Sequence, residues 1–146
     1  MEVLIDNRQD KLKIPLKKIQ KTARVILNAL DFPDGELSIL IVDDQQIADL
    51  NLTYLNRKGP TNVIAFPMRE GQFNEITPNL LGDVVISIDT AQQEAEAAGI
   101  SLGNRFNQLL IHGILHLLGY DHEQTTAEAA RMEEKSNSLL AMLDGD

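Results

Sequence analysis

The three histidines of the chain all lie within eleven residues, in the segment His112-Gly-Ile-Leu-His116-Leu-Leu-Gly-Tyr-Asp-His122. Because His112 and His116 are four residues apart, their side chains would leave a helix one turn apart on the same face. This separation lets both imidazoles bind one metal ion at about 2.0–2.1 Å. The spacing therefore predicts that these two histidines share a metal ion.

The third histidine, His122, follows a predicted helix end at Gly119, because glycine readily takes the left-handed conformation that terminates helices. The chain would then turn back and bring His122 to the same ion. Three imidazoles leave a fourth coordination position open for water, which is typical of catalytic zinc sites. Histidines buried in a core would instead lack hydrogen-bond partners on this apolar helix. We therefore predict one zinc ion per chain, used for metal-assisted hydrolysis.

Two neighbours of the histidines bear on the chemistry. Asp121, next to His122, would hydrogen-bond an imidazole and fix its tautomer, or else act as a general base; we favour the first role. The spacing H-x-x-x-H-x-x-G-x-x-H is also that of metzincin proteases, but Gly113 stands where those enzymes have their general-base glutamate. A metallopeptidase is therefore disfavoured, although it stays open beside hydrolases of small molecules.

A helix that is apolar on nearly all sides is predicted to carry the first two histidines. It spans residues 104–118, and its composition indicates a buried central position. Asp43 resembles a helix N-cap with Gln46 as its partner, and Asp89 or Thr90 is expected to cap a later helix. Apolar periodicity further predicts strands at 3–5, 36–42, 63–66 and 84–88 and helices at 15–30 and 126–143. This order predicts one α+β domain over residues 1–146, a small mixed sheet packed with several helices.

The charge of the chain is acidic but uneven. The formal net charge is −9, whereas residues 1–24 carry seven basic and three acidic residues, which gives +4 there and −13 over the rest. Lys17, Lys21 and Arg24 fall at positions i, i+4 and i+7 of the first helix and form one basic stripe. We expect this basic stripe to contact phosphate groups. The absence of cysteine fits a cytoplasmic location, and neither a signal peptide nor a membrane span is expected.

The segment HGILHLLGYDH resembles the signature of the bacterial YbeY family, the metal-dependent endoribonucleases of ribosomal RNA maturation. Three further segments, here Asn51–Tyr54, Pro60–Pro67 and Leu81–Ser87, resemble that family in order and spacing. The resemblance implies a zincin-like fold, one zinc ion, and cleavage of single-stranded RNA at the 3′ end of small-subunit ribosomal RNA. It also implies pre-ribosomes or ribosomal proteins as partners, and it leaves the oligomeric state open.

The chain departs from that family at one informative position. The family usually has an arginine directly after the tyrosine that matches Tyr54, and here that residue is Leu55. Arg57 and Lys58 follow closely, so we take Arg57 as the candidate that would stabilise charge on a transferring phosphate. The nucleophile is either a zinc-activated water or the RNA 2′-hydroxyl. An ordinary solvated loop at Arg57, and a non-catalytic ribosome assembly factor with a structural zinc, are the alternatives.

Overall fold

The computed structural model describes residues 3–68, 79–120 and 126–144, which form four strands and five helices. In chain order these are β1 (Val3–Asn7), α1 (Leu16–Ala29), β2 (Glu36–Val42), α2 (Asp44–Leu55), β3 (Val63–Pro67), β4 (Leu80–Ser87), α3 (Ile88–Ala98), α4 (Leu102–Leu117) and α5 (Thr126–Asp144). The sheet order is β1-β2-β4-β3, with β3 antiparallel to β4 and the other pairs parallel. The predicted α+β class with a small mixed sheet is confirmed.

Helices cover the two faces of the sheet unequally. On one face, α1, α4 and α5 enclose the larger hydrophobic core, which includes Ile26, Ile39 and Ile111. On the other face, α2 packs through Ile47 against Val85 in a smaller cluster. This division follows from the alternation of side chains along each strand, because neighbouring residues point to opposite faces.

The central helix α4 is buried, as its composition predicts. Eight of its sixteen residues are buried, and the Ser101 Oγ caps its start by accepting a hydrogen bond from the Asn104 N–H at 3.0 Å. Gly119 follows its end with a φ of 96°, which confirms the predicted left-handed stop. Neither α4 nor any other helix of the described residues is long and apolar enough to cross a bilayer.

The start of α3 corrects one prediction from the sequence. Neither Asp89 nor Thr90 caps this helix; the cap is Ser87, whose Oγ accepts a hydrogen bond from the Thr90 N–H at 3.4 Å. The reason is that β4 runs into α3 without a loop, so that Ile88, predicted as strand, is the first helical residue. Asp89 is engaged elsewhere, because its Oδ2 accepts a hydrogen bond from the Asp44 N–H at 2.9 Å.

The other predicted boundaries agree with the structure to within a few residues. The Asp43 cap is confirmed, since its Oδ1 accepts a hydrogen bond from the Gln46 N–H at 2.9 Å. Pro15 is the residue before α1 rather than its first residue, and Pro67 belongs to β3 rather than following it. Proline is tolerated in β3 because this strand lies at the edge of the sheet.

Candidate metal centre

His112 and His116 lie on one face of α4 and converge. Their Nε2 atoms are 3.0 Å apart, and their ring centroids are 4.5 Å apart. Both residues are half-buried, whereas Ile111 and Leu115 beside them are fully buried. Two imidazole nitrogens bound to one zinc ion at the tetrahedral angle would be about 3.3 Å apart, given Zn–N distances of about 2.0–2.1 Å. The observed separation corresponds to a hydrogen bond between the two rings, and it is only slightly shorter than the separation that a shared ion requires.

The third predicted ligand cannot be placed from the structure. His122 and its neighbour Asp121 lie in residues 121–125, outside the described residues, so their roles stay predictions. Within the described ranges, no group of three or more His, Cys, Asp or Glu side chains is placed to hold a metal ion. The described part of the chain therefore supplies two of the three predicted ligands.

A cleft of about 470 Å³ opens at the histidine pair. One side, here named the helix wall, consists of His112, Gly113 and His116. The other side, here named the loop wall, comes from the end of α2 and the segment after it and consists of Leu55, Arg57, Lys58, Pro60 and Thr61. Strand β3 also lines the cleft, through Val63, Ile64, Ala65 and Pro67. No acidic side chain lines the described part of this cleft, so its charge is positive and suits an anionic ligand.

The loop wall brings Arg57 into the same cleft as the histidine pair and adds Lys58 beside it. Leu55, at the position where the family resemblance leads us to expect an arginine, lines this cleft as well and is 40% exposed. The cations of the loop wall therefore line the same space as the leucine that stands in place of that arginine.

Asn51 holds the loop wall in place, a role that was not predicted from the sequence. Its side chain is buried, and its Nδ2 donates a hydrogen bond to the Gly59 carbonyl at 3.0 Å. Its own carbonyl accepts a hydrogen bond from the Arg57 N–H at 3.2 Å. Asn56, with a φ of 54°, turns the chain sharply between Asn51 and Gly59. The available signal was a polar residue four positions after Ile47, on the buried face of α2.

Gly113 is required by the packing of α4 on the sheet. A Cβ at this position would lie 2.6 Å from the Val84 Cγ1 and 3.4 Å from the Val63 Cγ2. The first distance is far below van der Waals contact, so no side chain fits without a shift of the helix or the strand. The position at which metzincins carry their general-base glutamate therefore faces the sheet in this chain.

The basic stripe lies away from this cleft. Lys17 and Lys21 are exposed, and Arg24 is half-exposed. They lie opposite the buried residues of α1, which include Ile19 and Ala23. Helix α1 packs beside β1, whereas α4 packs on β3 and β4 towards the other edge of the sheet. The structure does not bring the stripe and the histidines to one site, and phosphate contact by the stripe stays a prediction.

Comparisons with known proteins agree with one another. Residues 4–144 match the family described as Endoribonuclease YbeY. The chain is 49% identical to Endoribonuclease YbeY of Geobacter sulfurreducens over 145 residues, which covers 99% of this chain and 97% of the relative. It is 45% identical to Endoribonuclease YbeY of Aquifex aeolicus over 133 residues, covering 91% of this chain and 87% of the relative. The solution structure of TM1509 from Thermotoga maritima has a similar fold, with a TM-score of 0.69 at 23% identity over 95% of this chain and 87% of that one.

Proposed function

The chain belongs to the YbeY endoribonuclease family, and from this premise we propose that it cleaves single-stranded RNA with one zinc ion held by His112, His116 and His122. One observation carries the proposal: two imidazole Nε2 atoms converge to 3.0 Å at a cleft that Arg57 and Lys58 also line. The imidazoles suit a metal ion, and the cations suit the phosphates of a nucleic acid. Residues 1–146 would act as one metallohydrolase domain of zincin-like character.

The residues of the cleft divide the chemistry between them. A zinc ion, when bound, supplies a Lewis acid for a phosphodiester and lowers the pKa of a water molecule. Arg57 binds phosphate oxygens through its planar guanidinium, and Lys58 does so as a compact charge. Both offset the negative charge that builds on the non-bridging oxygens during cleavage. The buried residues of α4 anchor the helix that carries the two imidazoles.

Two nucleophiles fit this arrangement, a water molecule and the 2′-hydroxyl of the RNA itself. No carboxylate lines the described part of the cleft, and the residue after His112 is Gly113; Asp121, the general-base alternative, lies outside the described residues. Attack by the 2′-hydroxyl expels the 5′ oxygen of the next nucleotide and leaves a 2′,3′-cyclic phosphate. Attack by water leaves a linear phosphate. The chemical nature of the product ends therefore identifies the nucleophile.

We propose the 3′ end of small-subunit ribosomal RNA, presented in the cytoplasm by a pre-ribosome or a ribosomal protein, as the substrate. The family resemblance supports this choice, and the charge of the chain supports presentation by a partner. Outside residues 1–24 the net charge is −13, which repels free RNA from most of the surface. Screening over about 8 Å at physiological salt still allows RNA to bind locally at the cleft or the basic stripe.

The test is incubation of the zinc-loaded protein and its His116→Ala variant with single-stranded RNA that carries the small-subunit 3′ sequence. We expect cleavage by the wild type, none by the variant, and product ends that identify the nucleophile. Casein digested in parallel tests the peptidase alternative. Binding to pre-ribosomes by a wild-type protein that leaves RNA intact would contradict the proposal and favour a non-catalytic assembly factor.

A further inference from the structure

Strand β3 is an edge strand, and its pairing with β4 determines which of its backbone groups face away from the sheet. The Ser87 N–H donates to the Asn62 carbonyl at 3.0 Å, where the two strands begin to pair. In an antiparallel pair, hydrogen-bonded residues alternate with residues whose backbone groups point outwards. The even-numbered residues of β3 therefore face β4. The groups of Val63, Ala65 and Pro67 point to the free edge.

This free edge offers one donor and three acceptors. The Val63 N–H is already bound by the Asn62 Oδ1 at 2.7 Å, and proline has no N–H at position 67. Ala65 thus contributes the remaining N–H, while Val63, Ala65 and Pro67 each contribute a carbonyl oxygen. Among the residues that the structure describes, none pairs with the Ala65 N–H or with these carbonyls.

The Asn62 side chain is itself held in the orientation in which its Oδ1 accepts the hydrogen bond from the Val63 N–H. Its Nδ2 donates to the two carboxylate oxygens of Glu94 at 3.2 and 3.3 Å, and Glu94 pairs with Arg105 at 3.0 Å. Val63 is therefore not available as a donor to an incoming chain.

The edge would pair only incompletely with a peptide strand. A strand that adds to a sheet needs N–H and carbonyl groups together on every second residue. Of the three outward-facing residues only Ala65 supplies both, because the Val63 N–H is occupied and Pro67 has none. Proteins commonly protect edge strands in this way. The one remaining N–H suits an anionic acceptor on a ligand, and the three carbonyl oxygens suit a ligand with several hydrogen-bond donors.

An RNA chain has this combination, since every ribose carries a hydroxyl donor and every phosphate carries acceptor oxygens. Val63, Ala65 and Pro67 all line the cleft that also contains Arg57. We propose that the free edge of β3 binds the RNA backbone, with the Ala65 N–H donating to a phosphate oxygen and the Val63 and Ala65 carbonyls accepting from ribose 2′-hydroxyls. The inference rests on the proposed function and deepens it, because these contacts distinguish RNA from DNA.

The Ala65→Pro substitution removes the donor and keeps the carbonyls. An edge strand tolerates proline where the N–H faces away from the neighbouring strand, as it does at Pro67. Ala65→Val is the matched control, because it adds similar bulk and keeps the N–H. We expect the proline variant to bind fluorescein-labelled decauridylate about tenfold more weakly than the valine variant does. Fluorescence anisotropy measures the affinities, a gel shows that the RNA is intact, and thermal unfolding shows that both variants are folded.

Two further measurements need no variant. The wild type should bind decauridylate roughly threefold or more tightly than an oligodeoxyuridylate of equal length, which has the same charge but no 2′-hydroxyl. Decauridylate should also shift the backbone amide resonance of Ala65 in the wild-type NMR spectrum. An unshifted resonance, equal affinities for the two oligonucleotides, or equal affinities of the two variants would overturn the inference.

A change confined to casein cleavage in the Ala65→Pro variant, with its RNA affinity unchanged, would also overturn the inference and assign the edge to a peptide. Failure of the wild type to bind or cleave RNA would instead contradict the proposed function, and this result appears before any substitution is made. The two failures are therefore distinguishable.

Discussion

The two walls of the cleft are held by different forces. The helix wall belongs to α4, whose buried face packs so closely on β4 that a Cβ at position 113 would overlap Val84. In the loop wall, Arg57 and Lys58 are exposed, and two hydrogen bonds with Asn51, one that it donates and one that it accepts, hold the segment. This difference matches the geometry that the proposed function requires of each wall. Metal ligands must be placed within a few tenths of an ångström, whereas phosphate-binding cations can adapt to their ligand.

The largest effect is expected from removing a ligand from the helix wall. His116→Ala should reduce zinc from about one ion per chain to well below half, because too few predicted ligands remain to hold the ion. RNA cleavage should fall by at least ~100-fold, more than the loss of an outer hydrogen bond to a ligand causes. Elemental analysis and a cleavage assay measure the two effects. A variant that keeps full zinc occupancy would show that His116 is not a ligand.

Close packing of the helix wall predicts a large cost for a small side chain. Gly113→Ala should lower the free energy of unfolding by about 1–3 kcal/mol, because its methyl group would overlap Val84. The control is Gly103→Ala on the same helix, where the nearest atom to a Cβ is the Ser101 Oγ at 3.9 Å. That substitution should stabilise by about 0.5–1 kcal/mol. Urea unfolding of both variants checks the comparison, which fails if the two substitutions have the same effect.

The cations of the loop wall should act on RNA without affecting the fold. An Arg57→Ala, Lys58→Ala double variant removes two charges that we propose bind phosphate, so it should bind RNA about tenfold more weakly and reduce the log–log salt slope by roughly 1.4. Zinc content should not change. The comparison variant replaces the three residues of the basic stripe (Lys17, Lys21 and Arg24) by glutamate. Its log–log salt slope should fall by roughly 0.7 for each stripe cation that binds a phosphate in the wild type. An unchanged slope in either variant would make that surface an ordinary solvated one.

Because only a few hydrogen bonds hold the loop wall, removing one of them should affect stability less than overpacking the helix wall does. Asn51→Ala removes the bond to the Gly59 carbonyl and should lower the free energy of unfolding by about 1 kcal/mol. RNA cleavage should fall mainly through a higher KM, because the cations lose their position while the zinc ligands do not. Gln45→Ala, at an exposed position of the same helix, is the control. Equal KM values for the two variants would contradict the role given to Asn51.

The smallest effect is expected at the N-terminal end of α2. There the Asp89 carboxylate holds the helix by accepting a hydrogen bond from the Asp44 N–H. Burial raises the pKa of Asp89, but hydrogen bonds from the Asp44 N–H and the Lys11 ammonium lower it, and the pKa lies below its usual value. The stabilisation that the ionised Asp89 carboxylate gives to the folded state is therefore complete above about pH 5, and it is lost as the pH falls below about 4. In the alkaline range, the hydrogen bond to Asp89 raises the pKa of Lys11, so the ion pair between Lys11 and Asp89 persists at mildly alkaline pH.

Urea unfolding at several pH values tests this anchor. The stability difference between the wild type and Asp89→Asn should be constant from about pH 6 to 9 and should shrink below about pH 4. Asp49→Asn, an exposed aspartate of α2, is the control. A difference between wild type and Asp89→Asn that grows in acid would reverse the assigned sign.

The sequence by itself determined the features that depend on local periodicity. The four-residue spacing of His112 and His116 placed both imidazoles on one helix face, because a helix turns once in about 3.6 residues. The Asp43 cap and the stop at Gly119 were predictable for the same reason, since each depends on backbone groups within a few residues. The alternation of apolar and polar residues also gave the element order and hence the fold class.

Only the tertiary structure decided which distant segments meet. It placed Arg57 in the same cleft as the histidines, gave the α3 cap to Ser87, and put Gly113 against Val84. It also placed β3 along the cleft and, through the register with β4, turned the backbone groups of its odd-numbered residues towards the free edge of the sheet. None of these features has a local signature, because each depends on the packing of segments that are far apart in the chain. Short-range spacing limits which side chains share a face, and packing of the whole core decides what that face meets.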